Sequence, residues 1–184
     1  MIELEEYFKI YGTYEIKNKM YYVDGDVILI KKVGTLPFRF SVITGAFNCG
    51  SMELTSLKGA PKEVGGGFYC CNNKLTTLKG APIKVEGAFY CGNNKLTSLE
   101  GAPTKVGRAF ECSNNKLISL KGSPTRIKGD FWCHNNNLTS LKGAPKEVGR
   151  GFWCSGNKLV TLKGAPKKVG RDFDCGDNIK LFTK

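Results

Sequence analysis

From about residue 36 onward, hydrophobic side chains return at a fixed step of 21 residues. Each copy reads Phe-x-Cys-x-x-Asn-x-Leu-x-x-Leu-x-Gly-Ala-Pro, most clearly from Phe68, Phe89, Phe110, Phe131 and Phe152, with imperfect copies at Phe47 and Phe173. Within a copy, Phe-x-Cys alternates with the two-residue period of a strand, and Asn-Asn-Lys supplies a turn. Two apolar Leu follow. Gly-Ala-Pro then makes a corner that no helix can cross, because Pro lacks an N–H donor and restricts the residue before it. A chain that repeats itself this way forms one coil per copy and buries a core shared between coils. The expectation is a mainly β fold: a right-handed solenoid of about seven 21-residue coils with a parallel sheet.

The first 35 residues break this pattern and read as a cap. Residues 2 to 11 read as a short amphipathic helix ending near Gly12, with Glu3, Glu5 and Glu6 placed at its positive end. Met20 to Val23 and Val27 to Ile30 flank Asp24-Gly25-Asp26, a hairpin signal. A solenoid needs such a cover, because an end coil otherwise exposes apolar side chains and unpaired strand groups. The predicted division is therefore a helix-and-hairpin cap over 1–35, a repeat solenoid over 36–178 and a tail or small cap over 179–184. In that tail Ile179, Leu181 and Phe182 either fold over the last coil or pair with a second molecule, so the expected state is a monomer or a weak end-to-end dimer.

Charge is divided as sharply as pattern. The cap carries five Lys/Arg against six Asp/Glu, and the remaining residues carry 23 against 10, so the solenoid holds the whole net charge of +12. Seven of the eight cysteines fall two residues after the repeating Phe, namely Cys49, Cys70, Cys91, Cys112, Cys133, Cys154 and Cys175. A column of this kind reads as core thiols rather than a disulfide framework, and suits a reducing cytoplasm. The amino terminus lacks the basic and apolar regions of a signal peptide, and no apolar run approaches membrane-spanning length. A cytoplasmic protein without membrane association is expected.

The segment Phe68-x-Cys70-x-x-Asn73-x-Leu75-x-x-Leu78 resembles the leucine-rich repeat pattern L-x-L-x-x-N-x-L, with an aromatic and a thiol in two Leu positions. The similarity covers about four fifths of the chain. It is nearest to the short repeats of bacterial secreted effectors, and its Gly-Ala-Pro repeats also resemble those of small proteins of large tailed phages. The resemblance implies LRR-like coils and a structural ladder of Asn73, Asn94, Asn115, Asn136, Asn157 and Asn178. It implies no catalytic residue. A phage-like origin would make the partner a host protein, in the host cytoplasm, inhibited by occlusion. One departure stands out: Val64 precedes Phe68 by four positions where the family pattern has three, so the strand entry should bulge or widen.

Chemistry is expected where the copies differ. Between each inward Phe and Cys lies one outward residue, and this column reads Asn48, Tyr69, Tyr90, Glu111, Trp132, Trp153, Asp174. Large aromatics on an open sheet face are the commonest anchors for a protein partner. Small neighbours at Ala46, Gly67, Ala88, Ala109 and Gly151 are expected to leave them accessible, and Asp130, Trp132 and His134 to share one strand as a polar hot spot. The candidate partner-binding residues are thus Tyr69, Tyr90, Glu111, Asp130, Trp132, His134, Trp153, Asp172 and Asp174. No Ser-His-Asp order, H-E-x-x-H or C-x-x-C motif is present, so no catalytic residue, metal site or cofactor is expected. The leading expectation is a non-enzymatic protein-binding module. Non-specific nucleic-acid binding through rows of Lys and Arg is the alternative, and a self-assembling architectural role is a third.

Overall fold

The computed structural model describes residues 3–178, and over that span the chain is almost wholly strand and turn. Each copy of the repeat makes one coil bearing two very short strands. In the first full copy these are Glu63–Val64 and Phe68–Tyr69, and equivalents recur down to Lys168–Val169 and Phe173–Asp174. Each pairs in parallel with its counterparts in the coils before and after, so that Phe110 lies between Phe89 and Phe131, and Ile127 between Val106 and Val148. The result is a parallel β-solenoid of seven coils with two ladders joined at a bend. That bend explains the four-residue step from Val64 to Phe68. Gly65, Gly66 and Gly67 turn the chain through a corner, and the one strand expected per copy becomes two.

The interior is built of identical columns. Phe47, Phe68, Phe89, Phe110, Phe131, Phe152 and Phe173 stack on one another, with successive centroids 5.2 to 5.5 Å apart and near-parallel rings. Leu75, Leu78 and their equivalents as far as Leu159 are buried with them, and the six thiols from Cys49 to Cys154 are buried and unpaired. Burying one such Phe or Leu stabilises the fold by about 1.5–3 kcal/mol. The polar turn is handled by paired asparagines. The first, Asn72, takes a left-handed conformation (φ 55°), and the second, Asn73, is buried. Its amide nitrogen donates to the Cys49 and Cys70 carbonyls at 2.9 and 3.1 Å, and its oxygen accepts from the Leu54 amide at 2.9 Å. The same pattern continues to Asn178, so backbone groups at the turn find partners in adjacent coils.

The amino-terminal cap departs from the sequence expectation. Only Leu4–Glu6 forms a single 3-10 turn, and residues expected to continue a helix enter a ten-residue strand, β1 (Phe8–Lys17). Burial decides this. Phe8 is buried at the end of the aromatic column, 5.0 Å from the Phe40 ring and 6.3 Å from that of Phe47, a gain that outweighs local helix propensity. β1 pairs antiparallel with β2 (Met20–Leu29), and the hairpin turns at Asn18 and Lys19, both at positive φ. Asp24-Gly25-Asp26 is thus no turn. Gly25 lies opposite Gly12, and a Cβ on either would fall on the facing carbonyl of Tyr11 or Asp24.

β2 also initiates the stack. Its first half pairs in parallel with β3 (Phe40–Ile43), with a register shift between Tyr21 and Val23, and its second half with β4 (Phe47–Asn48), so one strand serves both ladders. The expected tail or cap over 179–184 lies outside the described residues.

Candidate functional site

Along the bend runs a groove of about 770 Å³, with Tyr69, Tyr90 and Trp132 on one side and the corner segments of four coils as its floor. The outward column of the second ladder therefore does border a concavity. Its rings do not stand free. Tyr69 lies back over Gly67 and Trp153 over Gly151, so closely that a Cβ on either glycine would collide with the ring. The small residues of this column receive the aromatics rather than leave them accessible, and the rings are half-buried.

Tyr69 and Tyr90 meet edge to face at 5.4 Å, and Tyr90 meets Trp132 at 6.4 Å across the coil between them. That contact exists because Glu111 folds aside. Its carboxylate accepts from the amides of Ser113 at 2.8 Å and Gly92 at 2.9 Å. Burial pushes its carboxyl above the usual carboxylate range, and these two N–H groups oppose the rise.

The other expected site residues separate. Asp130 lines the groove beside Trp132, whereas His134 turns away to share a 3.0 Å hydrogen bond with the buried Ser113 hydroxyl. The expected polar triplet on one strand is not assembled, because the strand covers only Phe131–Trp132 and its flanking polar groups are drawn into different bonds. Asp174 accepts from the Gly176 amide at 2.9 Å in the last coil, next to the exposed Asp172, and neither borders the groove. Trp153 also lies outside it, and its buried indole Nε1 has no acceptor among the described residues.

The corner contributes residues that the predicted partner-binding set left out, although Arg108 and Arg150 belong to the expected rows of basic residues. Two successive positions form it: Thr44-Gly45, Gly65-Gly66, Glu86-Gly87, Gly107-Arg108, Lys128-Gly129, Gly149-Arg150 and Gly170-Arg171. Every coil has glycine in at least one of the two. The reason is steric, since a Cβ on Gly107 would fall on the Glu86 carbonyl oxygen and one on Gly129 would lie 2.9 Å from the Ala109 and Arg108 backbone. A side chain is admitted only where its neighbour has none. The reciprocal spacing of glycine was the available signal, hidden because either position alone looks irregular. Its outcome is to place Glu86, Arg108, Lys128 and Arg150 along the groove.

These charges are unequally satisfied. Glu86 is paired with Lys84 at 2.6 Å, and Asp130 accepts from the Gly151 amide at 2.9 Å. Among the described residues, no carboxylate pairs with Arg108, Lys128 or Arg150. The cations are free and the acids are engaged.

Backbone donors are unequally satisfied too. In the fourth coil, Gly107 and Arg108 donate to the preceding coil and Phe110 donates to the following one. Ala109, between them, donates to neither. Gly67, Ala88 and Asp130 are its equivalents, and among the described residues none of these four amides has a protein acceptor. In two coils the same position is satisfied from within. Ala46 donates to the Asp26 carboxylate at 2.7 Å, and Gly151 to that of Asp130. Both acids stand opposite, at the preceding strand of the same ladder.

No family model, curated protein or solved structure matches the chain. What the groove can do is therefore read from its own chemistry: apolar rings, unpaired cations and a row of open N–H donors. Among the described residues there is no cluster of three or more His, Cys, Asp or Glu able to hold a metal ion, and no helix long and apolar enough to cross a membrane.

Proposed function

We propose that the chain is a non-enzymatic protein-binding module that captures its partner along the bend of the solenoid. The observation that carries this is the groove itself, where Tyr69, Tyr90 and Trp132 form a continuous half-buried aromatic wall beside free cations. Aromatic rings fixed by packing offer contact area at little entropic cost, and cations near them steer acidic surfaces into place. The LRR-like repeat supplies the rigid frame. In the phage-like version of this proposal the partner is a host protein in the cytoplasm, blocked by occlusion.

Affinity capture from a host extract with immobilised protein tests the proposal. Wild type should retain a defined partner, and Tyr90→Ala/Trp132→Ala should lose it while remaining folded by circular dichroism. Equal retention by the double variant would refute the groove as the contact surface. One observation favours a second function, nucleic-acid binding: Arg108, Lys128 and Arg150 border the same groove as the rings. Phosphate contacts would make affinity fall steeply with salt, and absence of binding to random oligonucleotides at low salt removes that alternative.

A further inference from the structure

Resting on the protein-capture function proposed above, we infer that the groove takes an extended acidic peptide segment of its partner, whose carboxylates accept from the open amides of Gly67, Ala88, Ala109 and Asp130. The chain itself displays the chemistry required. Twice in this column an aspartate carboxylate accepts from the amide at the next strand, Asp26 from Ala46 and Asp130 from Gly151. Where the column holds Gly67, Ala88 or Ala109, and before Gly67 Ala46, no side-chain oxygen exists to do so. Four successive amides then have no acceptor among the described residues.

Charge points to the same occupant. A carboxylate on this row would lie beside the corner cations Arg108, Lys128 and Arg150, none of which has an acidic partner among the described residues. Hydrogen bonds to a charged acceptor are roughly twice as strong as neutral ones. Four coils span about 14 Å at the inter-strand step, enough for about four or five residues of extended peptide. The rings of Tyr69, Tyr90 and Trp132 then form an apolar wall for side chains between the acids.

A polypeptide fits better than a nucleic acid. The rings meet edge to face and lie down on the sheet, leaving no parallel pair between which bases could stack. Glu86 and Asp130 stand among the cations, which an intermittently acidic strand tolerates and a polyphosphate does not.

The test uses the whole chain labelled with ¹⁵N and four fluorescein-labelled probes: the octapeptides (Glu-Ala)₄, (Gln-Ala)₄ and (Lys-Ala)₄, and the oligonucleotide dT8. The acidic peptide should bind, move the amide resonances of Gly67, Ala88, Ala109 and Asp130 downfield, and exceed the neutral and basic peptides at least tenfold. The variant Ala88→Asp/Ala109→Asp, which supplies its own carboxylates as Asp130 does, should lose that binding at least tenfold. Arg108→Ala/Arg150→Ala should lose it as well, without the aspartates. Acidic-peptide binding that leaves those four amides unmoved would overturn the inference, as would equal binding by the aspartate variant or stronger, amide-shifting binding of dT8. Capture of a protein from extract by wild type and by the aspartate variant alike would overturn the inference but leave the capture function standing. Acidic-peptide binding at the strip with no protein captured would do the reverse.

Discussion

The interior columns and the corner columns answer to opposite rules. Inside, each Phe lies on the Phe of the coil before and beneath that of the coil after, and each buried Asn reaches carbonyls of its own coil and the preceding one. A side chain whose neighbours are its own copies can change only where all of them change, so the column is uniform. At the corner only the backbone must pass. One glycine per coil meets that demand, and the other position is free to carry Glu86, Arg108, Lys128 or Arg150. Uniformity holds the fold together, and the permitted irregularity supplies the chemistry.

Alkaline pH should separate the two regions most strongly. Burial pushes the thiols of Cys49, Cys70, Cys91, Cys112 and Cys133 far above the ordinary value of about 8.5, and that of Cys154 up to about 12. Folded values above unfolded ones mean stability that is fully present below about pH 8.5 and lost as pH rises through the folded range. Each thiol contributes roughly 1.4 kcal/mol per pH unit, so six together weaken the fold by about 8 kcal/mol per unit. Cooperative unfolding is expected between about pH 9 and 10.5 in circular dichroism under reducing conditions. Persistence of the folded signal at pH 11 would show that the thiol column is not sealed from water.

Removing one ring of the column comes next. Phe110→Ala should cost about 3–5 kcal/mol in urea unfolding, because its cavity lies between two coils that cannot close. Phe173→Ala, at the exposed end of the same column, should cost under about 1 kcal/mol. Equal costs would mean that the column does not behave as a sealed stack.

The corner rule is tested by exchange. Gly107→Lys alone places a Cβ on the Glu86 carbonyl and should cost about 1–3 kcal/mol. Gly107→Lys/Arg108→Gly copies the Lys128-Gly129 arrangement and should recover most of the loss. No recovery would sink the reciprocal relation between the two positions. The smallest expected effect is at the charges themselves. Arg108→Ala and Arg150→Ala should change stability by no more than about 0.5 kcal/mol, being exposed and, among the described residues, without ion-pair partners.

Much of this architecture was written in the periodicity. The 21-residue step, the inward Phe, Cys and Leu, the Asn turn and the capping of the first coil can be read from residue order, because a repeated side chain must meet its own copy and only a few types tolerate that contact. Sequence also marked Tyr69, Tyr90 and Trp132 as unusual for a strand face. It did not show that Phe8 would draw residues 8–17 into a strand, since that depends on the unfilled end of a column 30 to 40 residues away in the chain. Nor did it show the bend at Gly65 to Gly67, the displacement of Glu111 that lets Tyr90 reach Trp132, or the open amides beside Arg108 and Arg150. Those features depend on which coil lies next to which, and on the direction in which each N–H points once the coils are stacked. Local residue types set what each coil could bury, and only contact between coils decided what was left unpaired.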